Sequence, residues 1–321
     1  MIALRRAGRR LAGLLPVRAN PTATSGAPDD ATQLLDRVRD IELKARKIVD
    51  ELLLGEYHAV FRGLGIEFDE LRPYVPGDEV RDIDWKTYAR TREPFVRRYR
   101  EDRDLTVMFV VDVSGSHRTG ALAVSKADIA AELCAVLGLA AIRNNDRAGL
   151  LLFAGKPERF VRPARGARHV LRVIREVLNA RPRTTGTDIA AALEYLTGIQ
   201  RRRSTVFLVS DFLTSGYDRA LRAAARRHDI IALRLRAPID ATLPPGGLAR
   251  VRDAETGQEI DIDAGSLAFR EAYAAHVRSL DAARARTFGE LHIDEIPIVV
   301  GEDYIPALLR FFRRRARVAA S

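Results

Sequence analysis

Apolar residues recur along the chain with two different periods, and the change of period divides it. Leu34, Val38, Ile41, Ala45, Ile48 and Leu52 come every three or four positions with Arg, Lys, Asp and Glu between them. This spacing predicts a helix of about 20 residues with one apolar face. From residue 105 onward, short apolar runs alternate with helical periods. TVMFVVD (106–112), RAGLLLFAG (147–155), STVFLVSD (204–211) and IIALRLR (230–236) read as strands, with ERFVRPA as a short one and HIDEIPIVV as the last. Helices are predicted over 125–144, 166–179, 187–199, 217–228, 266–289 and 303–316, the first opened by a Ser125-x-x-Asp128 capping pattern. Such alternation predicts the α/β class, a doubly wound and mostly parallel sheet covered on both faces.

The stretches outside that alternation have their own texture. NPTATSGAPDD (20–30) is small, polar and proline-bearing, and reads as a linker. Residues 56–104 set short β-favouring runs between turn signals at Gly63, Gly65 and Pro76-Gly77-Asp78, which predicts irregular hairpin structure with a helical turn near Trp85. Trp85 itself reads as a core anchor. After Pro238, Glu255-Thr256-Gly257-Gln258 marks a hairpin outside the main sheet. The expected organisation is a basic tail and linker (1–30), an N-terminal helix with an irregular β region (31–104), the α/β core (105–236), a hairpin and helix insertion (237–292), and the last strand and closing helix with a second basic tail (293–321). The absence of any repeat of roughly 20–50 residues removes solenoids and propellers.

Composition narrows the function classes. Of 321 residues, 47% are apolar and 30% charged, enough for a packed core and against wholesale disorder. The formal charge is +10, but Arg5, Arg6, Arg9, Arg10 and Arg18 at one end and Arg310, Arg313, Arg314, Arg315 and Arg317 at the other equal the whole excess. The body between is neutral, without the basic, aromatic-interleaved face that nucleic-acid binding uses. The Arg313–Arg315 run reads as a helix end, where cations favour the carbonyl terminus. Arg97, Arg98 and Arg100 alternate with Val96 and Tyr99, as a partly exposed strand edge or as a contact for an acidic partner. The single cysteine, Cys134, rules out an intrachain disulfide and a cysteine-built metal site, and favours a reducing compartment. No run of about 18 apolar residues is present, so no membrane-spanning helix is expected. MIALRRAGRRLAGLLPVRANP reads as a basic tail, with a transit peptide or a membrane-surface helix as alternatives. The expected location is cytoplasmic, with any membrane contact peripheral and through that tail.

Ligands of open parallel sheets gather at the carboxyl ends of the strands. The first core strand runs out into Asp112-Val113-Ser114-Gly115-Ser116, which sets one carboxylate and two hydroxyls on the same side of an extended turn. The strand at 204–210 ends in Asp211, and Thr185-Gly186-Thr187-Asp188 forms a short loop before a helix. Each piece alone has an ordinary reading as a turn former or a cap. Together, Asp112, Ser114, Ser116, Thr187 and Asp211 offer oxygen donors from three loops of one sheet edge. That set suits Mg²⁺ or Mn²⁺ and, lacking Cys and His, disfavours zinc. Asp188 reads as the cap of the following helix, and His117 as a solvent-facing or packed side chain.

These residues carry a resemblance. Asp112-x-Ser114-x-Ser116, Lys126, Asp146-Arg-Ala-Gly-Leu-Leu-Leu-Phe153, Gly186-Thr187-Asp188 and Ser210-Asp211 resemble a von Willebrand factor type A domain, which implies a metal-ion-dependent adhesion site. Phe61-Arg-Gly-Leu-Gly-Ile-Glu-Phe-Asp-Glu-Leu, Tyr74-x-Pro-Gly-Asp78, Arg81-Asp-Ile-Asp-Trp85, Ala89-Arg-Thr91, Arg97–Arg100 and Ala307-Leu-Leu-Arg-Phe-Phe-Arg-Arg resemble the bacterial family called domain of unknown function 58. Members of that family often carry two N-terminal membrane helices, which this sequence does not show. His117 stands where the von Willebrand pattern often has Met. The resemblance implies adhesion without chemistry: Ser114, Ser116 and Thr187 contacting the ion directly or through water, Asp112 and Asp211 behind them, and one position open for a partner's carboxylate. It also implies a MoxR-type AAA+ ATPase as partner, in assembly, metal insertion or maturation of another protein complex.

Enzymatic readings fit less well. Gly149-LLLFA-Gly155-Lys156 has five residues between the glycines where a phosphate loop has four, and Pro157 replaces the Ser or Thr. DVSGSHRTG is not a dinucleotide fingerprint. A Mg²⁺-dependent phosphatase or phosphotransferase with Asp112 as nucleophile would want a second carboxylate two residues on, where Ser114 stands. A serine hydrolase would need a GxSxG elbow. The expectation is therefore a non-enzymatic, metal-dependent interaction protein, with the phosphatase and a metal-independent scaffold as alternatives.

Overall fold

The computed structural model describes residues 14–16, 30–61, 66–101, 105–118, 124–237, 240, 246–253 and 259–319. Most of the expected N-terminal tail and linker, the Gly63 and Gly65 turn and the Glu255–Gln258 turn lie outside the described residues, as do the side chains of Arg97, Arg98, Arg100 and His117. Six strands build the central sheet: β1 (Thr106–Asp112), β2 (Arg147–Phe153), β3 (Pro157–Ala164), β4 (Thr205–Ser210), β5 (Asp229–Arg236) and β6 (Asp294–Val299). They stand in the order β6-β5-β4-β1-β2-β3, parallel throughout except for the β2–β3 pair. This is the doubly wound order, with its topological switch point beside β1. The expected α/β class with a mostly parallel sheet is what the chain adopts.

Among the described residues, eight helices of eight residues or more surround or extend the sheet: α1 (Asp30–Ile48), α2 (Leu54–Phe61), α3 (Lys126–Arg143), α4 (Ala167–Leu178), α5 (Ile189–Ile199), α6 (Asp218–Ala225), α7 (Leu267–Glu290) and α8 (Ile305–Ala319). Side chains alternate across a strand, so β1 serves two cores. Val107, Phe109 and Val111 pack with α1 to α4 and α8, whereas Met108 and Val110 pack with α5, α6 and Phe288 of α7. Burial on both faces is why this strand is one continuous apolar run. Arg234 of β5 and Arg284 of α7, both buried, pair with Asp281 and Glu295 and so fasten α7 against β5 and β6.

Three expectations change. Val38, Ile41, Ala45 and Ile48 of α1 are buried, but Leu52 is 45% exposed while Val49 and Leu53 are fully covered. A π-helical turn over Val49–Leu53 adds a residue and shifts the phase of the apolar face. Trp85 is 57% exposed rather than a core anchor. It starts the helix Trp85–Thr91, capped by Asp84, whose Oδ1 accepts from the Thr87 amide at 2.9 Å. This helix accompanies an antiparallel pair, Ile66–Pro73 with Phe95–Glu101, and two strands with a two-turn helix have no second layer to close over an indole. Finally, Arg313–Arg315 lies inside α8 rather than at its end. Arg313 pairs with Glu56 at 2.9 Å, Arg314 with Asp294, and Arg315 with both Asp229 and Asp294 at 2.6 Å, so the run clamps α8 onto α2 and the first residues of β5 and β6.

Between β5 and α7, Leu248–Asp253 pairs antiparallel with Glu259–Asp263, and Leu14–Pro16, within the expected tail, adds a third strand to this separate sheet.

Candidate functional site

All seven residues of β1 are buried, and the strand carries Asp112 into the interior at the switch point with 1% of its surface exposed. A buried carboxylate costs several kcal/mol unless hydrogen-bonded. Here Oδ1 accepts from the Ser114 amide at 3.0 Å and Oδ2 from the Ser210 hydroxyl at 2.8 Å. The first bond is an Asx turn that bends the chain as it leaves the sheet; the second spans the switch point from β4. Ser114 is fully buried, and its Oγ lies 3.2 Å from Oγ of half-buried Ser116. Three of the predicted residues are thus joined by direct contacts.

The loop bearing Thr187 is fixed to the same edge through β2. The Val113 amide donates to the Phe153 carbonyl and the Asp188 amide to the Ala154 carbonyl, both at 2.8 Å. Gly155 follows, and a Cβ there would stand 2.2 Å from the Thr185 carbonyl oxygen, so only glycine admits the loop so close. Asp188 caps α5, accepting from the Ala191 amide at 2.9 Å, as its position predicts. Thr187 is half-buried beside it.

Asp211, 6% exposed, is engaged differently. Its Oδ1 accepts from the Leu213 amide at 3.2 Å and its Oδ2 from Lys126 Nζ at 2.9 Å. The same ammonium pairs with Asp240 at 2.8 Å. Burial alone would depress the pKa of Lys126, but Asp211 and Asp240 outweigh it and hold the amine protonated, above the ordinary lysine range. Asp240 in turn receives the Ala237 amide on Oδ2 at 2.7 Å, and its carbonyl accepts from the Tyr273 hydroxyl of α7 at 3.3 Å. The sequence places Ser210 and Lys126 in the von Willebrand-like pattern without indicating what they bind, and it does not mark Asp240. A lysine at the first position of a helix, where the dipole disfavours a cation, is the one local signal for Lys126; Asp240, in a turn-rich stretch remote in sequence, carries none.

Among the described residues, no group of three or more His, Cys, Asp or Glu is placed to hold a metal ion. Any ion at this edge would rest on hydroxyls, backed by Asp112 and by an Asp211 that shares Lys126 with Asp240. Adjacent serine hydroxyls over a buried carboxylate are hard oxygen donors, and the set fits Mg²⁺ or Mn²⁺ rather than a thiophilic metal. Among the described residues no helix is long and apolar enough to cross a membrane.

The chain has relatives among known proteins. The family described as "Protein of unknown function DUF58" matches residues 70–283. The chain is 31% identical to the uncharacterized protein Rv1480 of Mycobacterium tuberculosis, over 95% of this chain and 96% of that one. Among solved structures it is similar to the conserved hypothetical protein BatB of Bacteroides thetaiotaomicron, with TM-score 0.41 and 19% identity over 66% of this chain and 99% of that one. It is also similar to the SpRpn10 VWA domain, with TM-score 0.33 and 12% identity over 64% and 93%. With its doubly wound sheet and its Asp-x-Ser-x-Ser strand exit, the chain has a von Willebrand factor A-like fold and belongs to the DUF58 family.

Proposed function

We propose that the chain is a non-enzymatic protein-interaction module whose carboxyl sheet edge holds Mg²⁺ or Mn²⁺ and presents it to a carboxylate of a partner protein. The observation that supports this reading most is the Ser114–Ser116 hydroxyl pair, 3.2 Å apart in front of an Asp112 fixed from both sides. Ser114, Ser116 and Thr187 would hold the ion, with Asp112 and Asp211 acting from behind. Such an ion, when bound with few direct carboxylates, supplies residual positive charge that attracts an acidic group. Lys126 contributes in the same sense, because it offsets part of the charge of Asp211, which it shares with Asp240. Asp112 is a poor nucleophile here: both oxygens accept hydrogen bonds within the chain and almost none of its surface is exposed. The partner implied by the resemblance is a MoxR-type AAA+ ATPase, the pair acting in assembly or maturation of another complex, with cytoplasmic location as the corresponding expectation.

A second reading, a metal-independent scaffold, draws on the fact that Asp211 already has an internal cation in Lys126. A pulldown from the native host with Mg²⁺ or with EDTA, using wild type and Ser114→Ala, decides between the two. Capture of an AAA+ ATPase by wild type with Mg²⁺ alone is expected. Capture indifferent to both changes leaves the scaffold, and phosphate release from phosphoesters that Asp112→Asn abolishes would replace both with the enzyme.

A further inference from the structure

At the opposite end of the sheet, where β1 and β2 begin, lies a cavity of about 720 Å³ lined chiefly by Phe160, Arg162, Tyr195, Ile199, Arg201 and Arg202. Thr106 and Arg147 begin β1 and β2, so the length of a seven-residue strand, roughly 20 Å, separates it from Asp112. We propose that this groove docks an extended acidic segment of a partner protein, with one apolar or aromatic side chain of that segment seated on Phe160, Tyr195 and Ile199.

Charge complementarity carries the choice of occupant. Four arginines line the groove and, among the described residues, no carboxylate does. Arg162, Arg201 and Arg202 are exposed. The carbonyl end of α5 opens here at Gln200 and contributes about half a negative charge, which the three exposed guanidinium groups exceed. The apolar floor is equally specific. Tyr195 and Ile199, one helical turn apart on α5, are 41% and 39% exposed, and Tyr195 meets Phe160 edge-on at 6.3 Å. Large apolar groups beside arginines are the usual anchors of protein recognition.

The frame is already built. Alternation along β3 sends Val161 into the core and Arg159 to Glu176 at 3.1 Å, leaving Phe160 and Arg162 for the groove. The Arg201–Arg202 turn is held by Gln200 Nε2 donating to Ser204 Oγ at 2.9 Å and by Ser204 Oγ donating to the Arg202 carbonyl at 3.2 Å. In the described sheet β3 is an edge strand with β2 as its partner, and such an edge can take an added extended strand. None of this depends on the metal reading.

The test is fluorescence anisotropy of a fluorescein-labelled oligoglutamate peptide carrying one phenylalanine. The phenylalanine-free peptide and an oligothymidylate of equal charge serve as comparators. Wild-type protein should bind the first peptide most tightly, with affinity that falls as salt is raised. Arg162→Glu/Arg202→Glu should weaken it at least tenfold and Tyr195→Ala at least threefold, both variants keeping the wild-type unfolding midpoint. EDTA should change nothing. Absence of binding, equal binding by the charge-reversed variant, tighter binding of the oligothymidylate, or loss of binding in EDTA would each overturn the assignment.

Discussion

The two ends of the central sheet treat charge in opposite ways. At the carboxyl edge, Asp112, Asp211 and Lys126 are withdrawn from solvent: Asp112 accepts from the Ser114 amide and the Ser210 hydroxyl of β4, and Lys126 of α3 pairs with both Asp211 and Asp240. In the groove at the amino end, Arg162, Arg201 and Arg202 stand in water beside exposed Tyr195 and Ile199. Buried charge is costly and therefore fixed in position, which suits the holding of a ligand in a set geometry. Exposed charge costs little and acts at longer range, which suits the capture of an oppositely charged chain. One sheet thus offers a rigid end and an attracting end.

The contrast can be broken at four points. Lys126→Met leaves two carboxylates without their shared cation and should lower the unfolding free energy by about 3–5 kcal/mol in urea titration. Adding Asp211→Asn to that variant should return part of the loss, whereas a neutral Lys126→Met would mean the pair is not a stabilising element. A buried titratable group at the amino end, His228, makes the second test. Burial first, then Arg227 and Arg203, hold its pKa at about 4, and among the described residues neither ring nitrogen has a hydrogen-bond partner. Because the folded value lies below the unfolded value of about 6.5, the unfolded chain takes up the proton first. Stability is then full above pH 6.5 and falls, by up to about 3 kcal/mol, as pH drops towards 4. Thermal unfolding of His228→Leu should lose that part of the pH dependence.

Gly155→Ala forces the Thr185 loop outward and should cost roughly 1–3 kcal/mol. Faster amide exchange over 184–188 would accompany it, and unchanged exchange would show that the loop relaxes without moving Thr187. The smallest effect belongs to the attracting end. Arg162→Glu/Arg202→Glu should stay within about 0.5 kcal/mol of wild type, and a larger loss would mean that these arginines also build the fold.

Much of this is legible in the sequence. The strand predicted at 106–112 is observed over Thr106–Asp112, because a strand covered on both faces must be apolar without interruption and its first carboxylate marks where it leaves the core. Asp112, Ser114 and Ser116 were legible for the same reason: their spacing within one turn is local. What escaped was pairing between distant segments. Nothing near Asp240 announces Lys126, and nothing around Arg313–Arg315 announces Glu56, Asp229 and Asp294. Trp85 departs from its expected burial because apolar character predicts burial only where a second layer exists to cover it.

The π turn at Val49–Leu53 has a consequence further along the same rod. One additional residue rotates everything beyond it by about 100°. At that azimuth Tyr57 points inward, its hydroxyl 3.1 Å from Asp146 Oδ2 and its ring 6.0 Å from that of Phe312. Winding the same residues as a regular α-helix would swing the phenol away from both and bring Leu52 to the inside, whereas deleting one residue from the turn would leave the phenol where it is. The irregular turn is a phase adjuster that lets a continuous helical arm grip first α3 and then the closing helix.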